Sequence, residues 1–195
     1  KKVKTIFFEN EGNKQVFIEN NIIKESRSCT LPGAGIDLDE YKMTPYPEES
    51  RNIRFLFIGR VMKEKGVDEL FEAAERIKKQ HSDVFFDVVG PLEDDYKSKL
   101  EELVRKSVIV YHGYQKDVKP FIEKCHCFVL PSYHEGMANT LLEAGAMGRP
   151  LITSNIHGCL EAVEEGRNGY LAEAKNAESL LGQLENCLLY TSPSP

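Results

Sequence analysis

The chain has 195 residues, room for one large domain or for one domain with a piece of another. A hydrophobic content of 41% and a charged content of 29% are those of an ordinary globular chain. The formal net charge of −6 argues against nucleic acid as a partner, because a polymer of phosphates calls for a net basic face, but it leaves a small phosphate ligand open.

In chain order, Val3 to Phe8 reads as a strand, and Lys1 to Phe8 has the look of the middle of a domain rather than of a leader. Asn10 to Ile23 carries a modest helical pattern opened by Asn10 or Asn13. Cys29 to Leu31 is a short strand, broken by Pro32-Gly33-Ala34-Gly35, where a sharp turn is expected. Met43 to Ser50, polar and holding two prolines, is the candidate linker. These features divide the chain into residues 1–45, the tail of a preceding α/β domain, and a second domain over 46–188.

From residue 52 strands and helices alternate. Strands are expected at Ile53–Val61, Val84–Val89, Val108–Tyr111, Cys127–Leu130, Leu151–Ser154 and Gly169–Ala172. Helices are expected at Val67–Lys79, Asp95–Lys106, Val118–Lys124, Ala138–Met147, Cys159–Glu165 and Asn176–Tyr190. The first of these has Val67, Leu70, Phe71, Ala74 and Ile77 on one stripe. Short loops between such units mean an α/β fold with a doubly wound, mainly parallel sheet. The segment 189–195, ending in Pro193-Ser194-Pro195, reads as a disordered end or foreign sequence and is excluded from function.

Five cysteines, an odd number at irregular spacing, form no disulfide framework and fit a reducing, cytoplasmic setting. Cys125-His126-Cys127 looks like a metal cluster, but no second Cys/His pair stands at zinc spacing. The better reading is two small apolar residues on one face of a core strand. No metal site is expected.

Ligands of such sheets lie beyond the carboxyl ends of the strands. Pro131 to Pro150 is the most informative stretch there: a strand end, the turn Glu135-Gly136, and an apolar helix closed by Gly148 and Pro150. A helix N-terminus offers unpaired N–H groups and partial positive charge, and Gly136 lets a ligand oxygen approach the backbone. Asn139 or Thr140 would equally serve as a plain N-cap. Glu143 sits in an otherwise apolar helix, where a carboxylate calls for a partner, either Arg149 or the hydroxyls of a sugar. Glu135, in a loop, reads by default as a solvated charge. Arg60 and Lys65 flank the turn after the first strand of the second domain and are suited to neutralise a diphosphate. That turn matches neither a P-loop nor a Rossmann fingerprint. Ser132-Tyr133-His134 lacks the nucleophile elbow of a hydrolase.

The ordered set resembles the donor-binding half of retaining GT-B glycosyltransferases of the family-4 type. The match is carried by Phe57-Ile58-Gly59-Arg60 with Lys65-Gly66-Val67, and by Asp87-Val88-Val89-Gly90. It continues in Glu135-Gly136 with Glu143-Ala144, then Gly148-Arg149-Pro150, Gly158, Glu161 and Asn168-Gly169-Tyr170-Leu171. It covers about residues 30–185 and implies a nucleotide-diphosphate-sugar donor, usually UDP-linked, bound without a divalent metal or other cofactor. On this resemblance Arg60 and Lys65 bind the diphosphate, Glu143 holds the ribose and Glu135 faces the donor sugar. Gly59 and Gly90 shape the site, and His112, Gly113 and Tyr114 border the base. Gly136 and the amides of Met137, Ala138, Asn139 and Thr140 face phosphate or sugar.

Many members carry proline where this chain has Met137. The resemblance further implies a glycan or lipid-linked acceptor, transfer with retention, and peripheral membrane association through an N-terminal domain largely outside this chain. A chain of this extent alone is then expected to bind donor weakly and to turn over little. Two other readings fit the same residues: a non-catalytic nucleotide- or partner-binding module, and a nucleotide-sugar epimerase of the same shape.

Overall fold

The computed structural model describes residues 3–31, 33–47 and 52–191. Pro32 and residues 48–51 and 192–195 lie outside the described residues; of the tail expected at 189–195, the part up to Thr191 is instead the end of the C-terminal helix. The chain begins with a β-α-β unit: β1 (Ile6–Phe8), α1 (Glu11–Glu19) and β2 (Ser28–Thr30), with β1 and β2 paired in parallel. Phe8 meets Phe17 edge-on with ring centroids 5.1 Å apart. Phe7, Val16 and Ile22 of this unit remain exposed.

The second part consists of β3 (Ile53–Ile58), α2 (Val67–Gln80), β4 (Val84–Val89), α3 (Lys97–Arg105), β5 (Ile109–Tyr111), α4 (Lys119–Lys124), β6 (Cys127–Leu130), α5 (Asn139–Ala146), β7 (Leu151–Ser154), β8 (Gly169–Ala172) and α6 (Ala177–Thr191). Its six strands run in the order β5-β4-β3-β6-β7-β8, every pairing parallel. Helices cover both faces, so the strands are largely apolar rather than alternating, Arg54 and Asp87 being exceptions. Phe55, Phe57, Phe86 and Phe128 are fully buried, and Phe55 stacks on Phe86 at 5.1 Å. Each such side chain contributes about 1.5–3 kcal/mol by leaving water. Residues Val67, Leu70, Phe71, Ala74 and Ile77 form the buried stripe of α2, as their spacing requires.

Three elements differ from the sequence reading. The helix expected at 95–106 is split into a 3₁₀ turn, Asp94–Tyr96, and α3; the Tyr96 hydroxyl is drawn to Asp68 Oδ2 at 2.9 Å. The helix expected at 159–165 is only a 3₁₀ turn, Leu160–Ala162. There the Asn168 side chain takes Glu164 N at 2.7 Å and Ala162 O at 3.0 Å, bonds that compete with helix continuation. Cys125 does not share a strand with Cys127: it ends α4, and only Cys127 is in β6. Both thiols are buried, and burial pushes that of Cys125 up to about 12. Among the described residues, no group of three or more His, Cys, Asp or Glu could hold a metal, and no helix is long and apolar enough to cross a membrane.

The connector is fastened to the domain by Arg149, which is only 2% exposed. Its Nε donates to Ile122 O at 2.9 Å, and Nη2 donates to Thr44 Oγ1, to Pro45 O at 2.8 Å and to Glu123 O at 3.3 Å. Arg149, offered from the sequence as a partner for Glu143, thus donates instead to backbone carbonyls and the Thr44 hydroxyl.

Gly66 is required at the start of α2. Its φ is +68°, and a Cβ there would stand 1.9 Å from the carbonyl oxygen of Pro131. Gly66→Ala is expected to lower unfolding free energy by roughly 3 kcal/mol through strain and displacement of the Pro131 loop. Urea denaturation measures this; a midpoint equal to the wild type would show that the two loops do not need this approach.

Candidate functional site: a cleft at the carboxyl ends of β3 and β6

The crossovers from β3 run one way through β4 and β5, and from β6 the other way through β7 and β8. The loops leaving β3 and β6 therefore diverge, and a crevice opens between them. A cavity of about 470 Å³ occupies it, lined by Ile58, Gly59, Arg60, Met62, Lys65, Pro91, Leu130, Glu135 and Met137 to Thr140. Residues about 70 positions apart in sequence thus share one wall.

Lys65 ends a 3₁₀ turn, Lys63–Lys65, that is held against the β6 loop by the bond from Tyr133 N to Glu64 O at 2.8 Å. This places Lys65 Nζ 2.5 Å from Glu135 Oε1. The Glu135 side chain is 12% exposed, so it is a largely covered, paired carboxylate and not the solvated charge a loop position suggests. Arg60 is mostly exposed, with Nη1 3.7 Å from Glu93 Oε1, a pair of small energetic weight. The cavity wall opposite these charges is the start of α5, where Ala138 provides no capping side chain. No backbone carbonyl among the described residues accepts from the amides of Asn139 and Thr140. The amide of Ala138 is different: it donates to Gly158 O at 2.8 Å, which removes it from the set expected to face phosphate or sugar. Asn139 and Thr140 lie inside α5 and do not act as the N-cap.

Residues 52–189 match the family described as glycosyl transferases group 1. The chain belongs to that family. It is 30% identical over 184 residues to the N,N'-diacetylbacillosaminyl-diphospho-undecaprenol alpha-1,3-N-acetylgalactosaminyltransferase of Campylobacter jejuni, covering 89% of this chain and 48% of that protein. It is 25% identical over 193 residues to the capsular polysaccharide biosynthesis glycosyltransferase CapM of Staphylococcus aureus, covering 91% and 50%. Among solved structures it resembles HepE of Anabaena in complex with UDP-glucose, with a TM-score of 0.82 at 19% identity, over 96% of this chain and 55% of that one. The chain thus spans about half the length of the curated relatives it matches, and its six-stranded sheet is the Rossmann-like sheet of the GT-B fold.

In this group 1 chain the remaining predicted residues stand around the cleft rather than in the cavity wall. Gly90, with φ +142°, allows β4 to end against β3: a Cβ there would sit 2.0 Å from Gly59 O. Its amide donates to Gly113 O at 2.8 Å. His112 is directed to the Asp87 carboxylate, Nε2 to Oδ1 at 2.7 Å, while Arg54 holds Oδ2 at 2.8 Å. Tyr114 is 73% exposed and is not among the residues that line the cavity. Gly136 follows Glu135 in the loop, where a Cβ would meet the end of the exposed Glu9 side chain and require it to move.

Glu143, on α5, has the Tyr41 hydroxyl as a neighbour, which favours its charged form. Burial pushes its carboxyl above the usual value; the Tyr41 hydroxyl opposes this, the nearby Glu40 charge adds to it, and the Lys119 charge opposes it. Tyr41, Asp87 and the Asn10 side chain described below are site neighbours that sequence reasoning missed. For Asp87 a signal existed, a charged residue within the otherwise apolar run Val84 to Val89.

A raised native pKa means that Glu143 opposes folding as pH climbs. Below the unfolded value, 4.5, it is protonated in both states; above the folded value it is charged in both, and the native state bears the full cost of burial. Glu143→Gln is therefore expected to gain stability relative to the wild type at pH 8 and to gain less at pH 4. Denaturant titrations at the two pH values measure the difference; a gain that is larger at pH 4 would invert the assignment.

Proposed function

We propose that this chain binds the diphosphate and sugar of a nucleotide-diphosphate sugar, UDP-linked, as the donor half of a glycosyltransferase that moves a hexosyl or N-acetylhexosaminyl group to a glycan or lipid-linked acceptor. The observation that carries this reading is the meeting, in one cavity, of Arg60 and Lys65 with the unbonded amides of Asn139 and Thr140. Two cations and a helix N-terminus form a fixed positive field for a diphosphate, and that field grows in value as negative charge builds on the leaving group. A diphosphate needs Lys65 more than Glu135 does. On binding, Lys65 turns to phosphate oxygens, and Glu135 is released to accept hydroxyls of the donor sugar.

Glu143 holds ribose hydroxyls once Tyr41 gives way, and the loop of His112, Gly113 and Tyr114 borders the base. The reaction proceeds with retention by same-face attack, so no protein nucleophile is invoked, and charge neutralisation by Arg60 and Lys65 removes the need for a metal. HepE of Anabaena, in complex with UDP-glucose, supports a UDP-linked donor. The name of the Campylobacter jejuni relative, with its diphospho-undecaprenol group, supports a lipid-linked acceptor. Acceptor contacts come from a further domain, of which residues 1–45 are the last part.

The test is a thermal-shift panel of UDP, ADP, GDP, UDP-glucose and UDP-N-acetylglucosamine, on a polypeptide of the relatives' full length. UDP and a UDP-sugar are expected to raise the melting temperature, with EDTA making no difference. Lys65→Ala and Arg60→Ala are each expected to weaken UDP binding by roughly 10- to 100-fold, the weight of a charge-assisted hydrogen bond lost. No shift with any nucleotide or nucleotide sugar would overturn the reading, and loss of binding in EDTA would overturn its metal independence.

A further inference from the structure

Asn10 joins the first β-α-β unit to the floor of the cleft. It is 3% exposed although it lies in a largely exposed segment. Its Oδ1 accepts from Asn13 N at 2.8 Å and so caps α1. That bond fixes the orientation of the amide: Oδ1 is committed to an N–H, and Nδ2 must face the other way. There Nδ2 donates to Gly136 O at 2.7 Å and to Glu135 O at 3.3 Å. Asn13 Nδ2 adds a longer bond to Glu135 O at 3.4 Å.

Gly158 closes the other side of the same turn. Its φ is +90°, and a Cβ there would come within 2.6 Å of Glu135 O and 2.7 Å of Gly136 O. It is held in place by Glu161 Oε2, which accepts from Gly158 N at 2.6 Å, and by the bond from Ala138 N to Gly158 O. The peptide planes at Glu135 and Gly136 are therefore gripped between a side chain from the first unit and the backbone of the β7–β8 connection. Their orientation sets where the Glu135 carboxylate and the following amides point.

We propose that Asn10 is a positioning residue for the sugar end of the donor cleft, coupling the placement of the first β-α-β unit to the geometry of Glu135 and Gly136. The inference rests on the nucleotide-sugar reading of that cleft. A shift of the first unit relative to the six-stranded domain would loosen this turn without touching Arg60 or the end of β3. Recognition of the sugar would change while the hold on the nucleotide stays.

Asn10→Asp separates this role from stability. It keeps Oδ1 and the cap on α1, but it replaces the donor facing two carbonyls with an acceptor. Asn10→Ser, which also caps but does not reach the turn, serves as the second variant. Hydrogen exchange of residues 135–140 is expected to accelerate about tenfold or more in both variants, with β3 and β4 unchanged. Affinity for UDP is expected to stay within about twofold, while that for UDP-glucose or UDP-N-acetylglucosamine, whichever the wild type binds, falls about tenfold.

Unchanged exchange in both variants overturns the inference. Equal loss of UDP and UDP-sugar, or faster exchange throughout the domain, also overturns it, because Asn10 would then be a general stabiliser. A wild type that binds neither ligand overturns the donor reading beneath it. A wild type that binds the UDP-sugar no more tightly than Asn10→Asp does overturns the inference alone.

Discussion

The parallel pairing of β3 with β6 is the constraint from which the site follows. Phe55 and Leu56 lie beside Cys127 and Phe128, and the chain leaves the two strands in opposite directions along the sheet. Backbone hydrogen bonding fixes the spacing of neighbouring strands at about 4.8 Å, so the two departing loops start close together and then separate. The cavity is what lies between them. Lys65 and Glu135 meet because their loops begin at adjacent strand ends, and Gly66 and Gly90 are the positions where side chains would prevent the close packing of those ends.

The charged side chains of the cleft have partners within the chain. Lys65 holds Glu135, Arg60 leans toward Glu93, and Glu143 has the Tyr41 hydroxyl as a neighbour. An ionised group facing a half-buried wall without such partners would cost several kcal/mol. These partners are all exchangeable: a diphosphate competes for Lys65, and hydroxyl-bearing ligands compete for the two glutamates. Arg149 is the contrast. It is buried against three carbonyls and a hydroxyl, and its partners, Ile122, Glu123, Thr44 and Pro45, belong to the scaffold. The C-terminal end of α4 supplies two of those carbonyls, which suits a cation. One arginine thereby fastens the connector to the domain, whereas the cleft arginine, Arg60, is held only by an exposed pair with Glu93.

Much of this architecture is legible in the residues, because local patterns write it. Val84–Val89, Cys127–Leu130, Leu151–Ser154 and Gly169–Ala172 have the strand bounds that their apolar runs indicate, and α2 carries the stripe that its spacing indicates. Among the segments that differ, 159–165 does so for a physical reason: the Asn168 side chain satisfies Glu164 and Ala162 from outside the turn, and such a bond has no signature in hydrophobic periodicity. Chemistry at the cleft was legible where residue types are few. Arg60, Lys65, Glu135 and the small residues of the α5 start share one cavity.

By itself the sequence determined the α/β class, the strand ends that carry the loops, and the residue types suited to a diphosphate and a sugar, since each depends on neighbours within about ten positions. Only the tertiary structure decided which of them face one another. Glu135 is paired and largely covered rather than solvated, Glu143 has Tyr41 as its neighbour while Arg149 donates elsewhere, the amide of Ala138 is taken by Gly158, and the turn at Gly136 is held from Asn10. All four join residues far apart along the chain. Such partners are chosen by the order of strands in the sheet and by the close approach of backbones at glycines, and neither is written in the local pattern of residues.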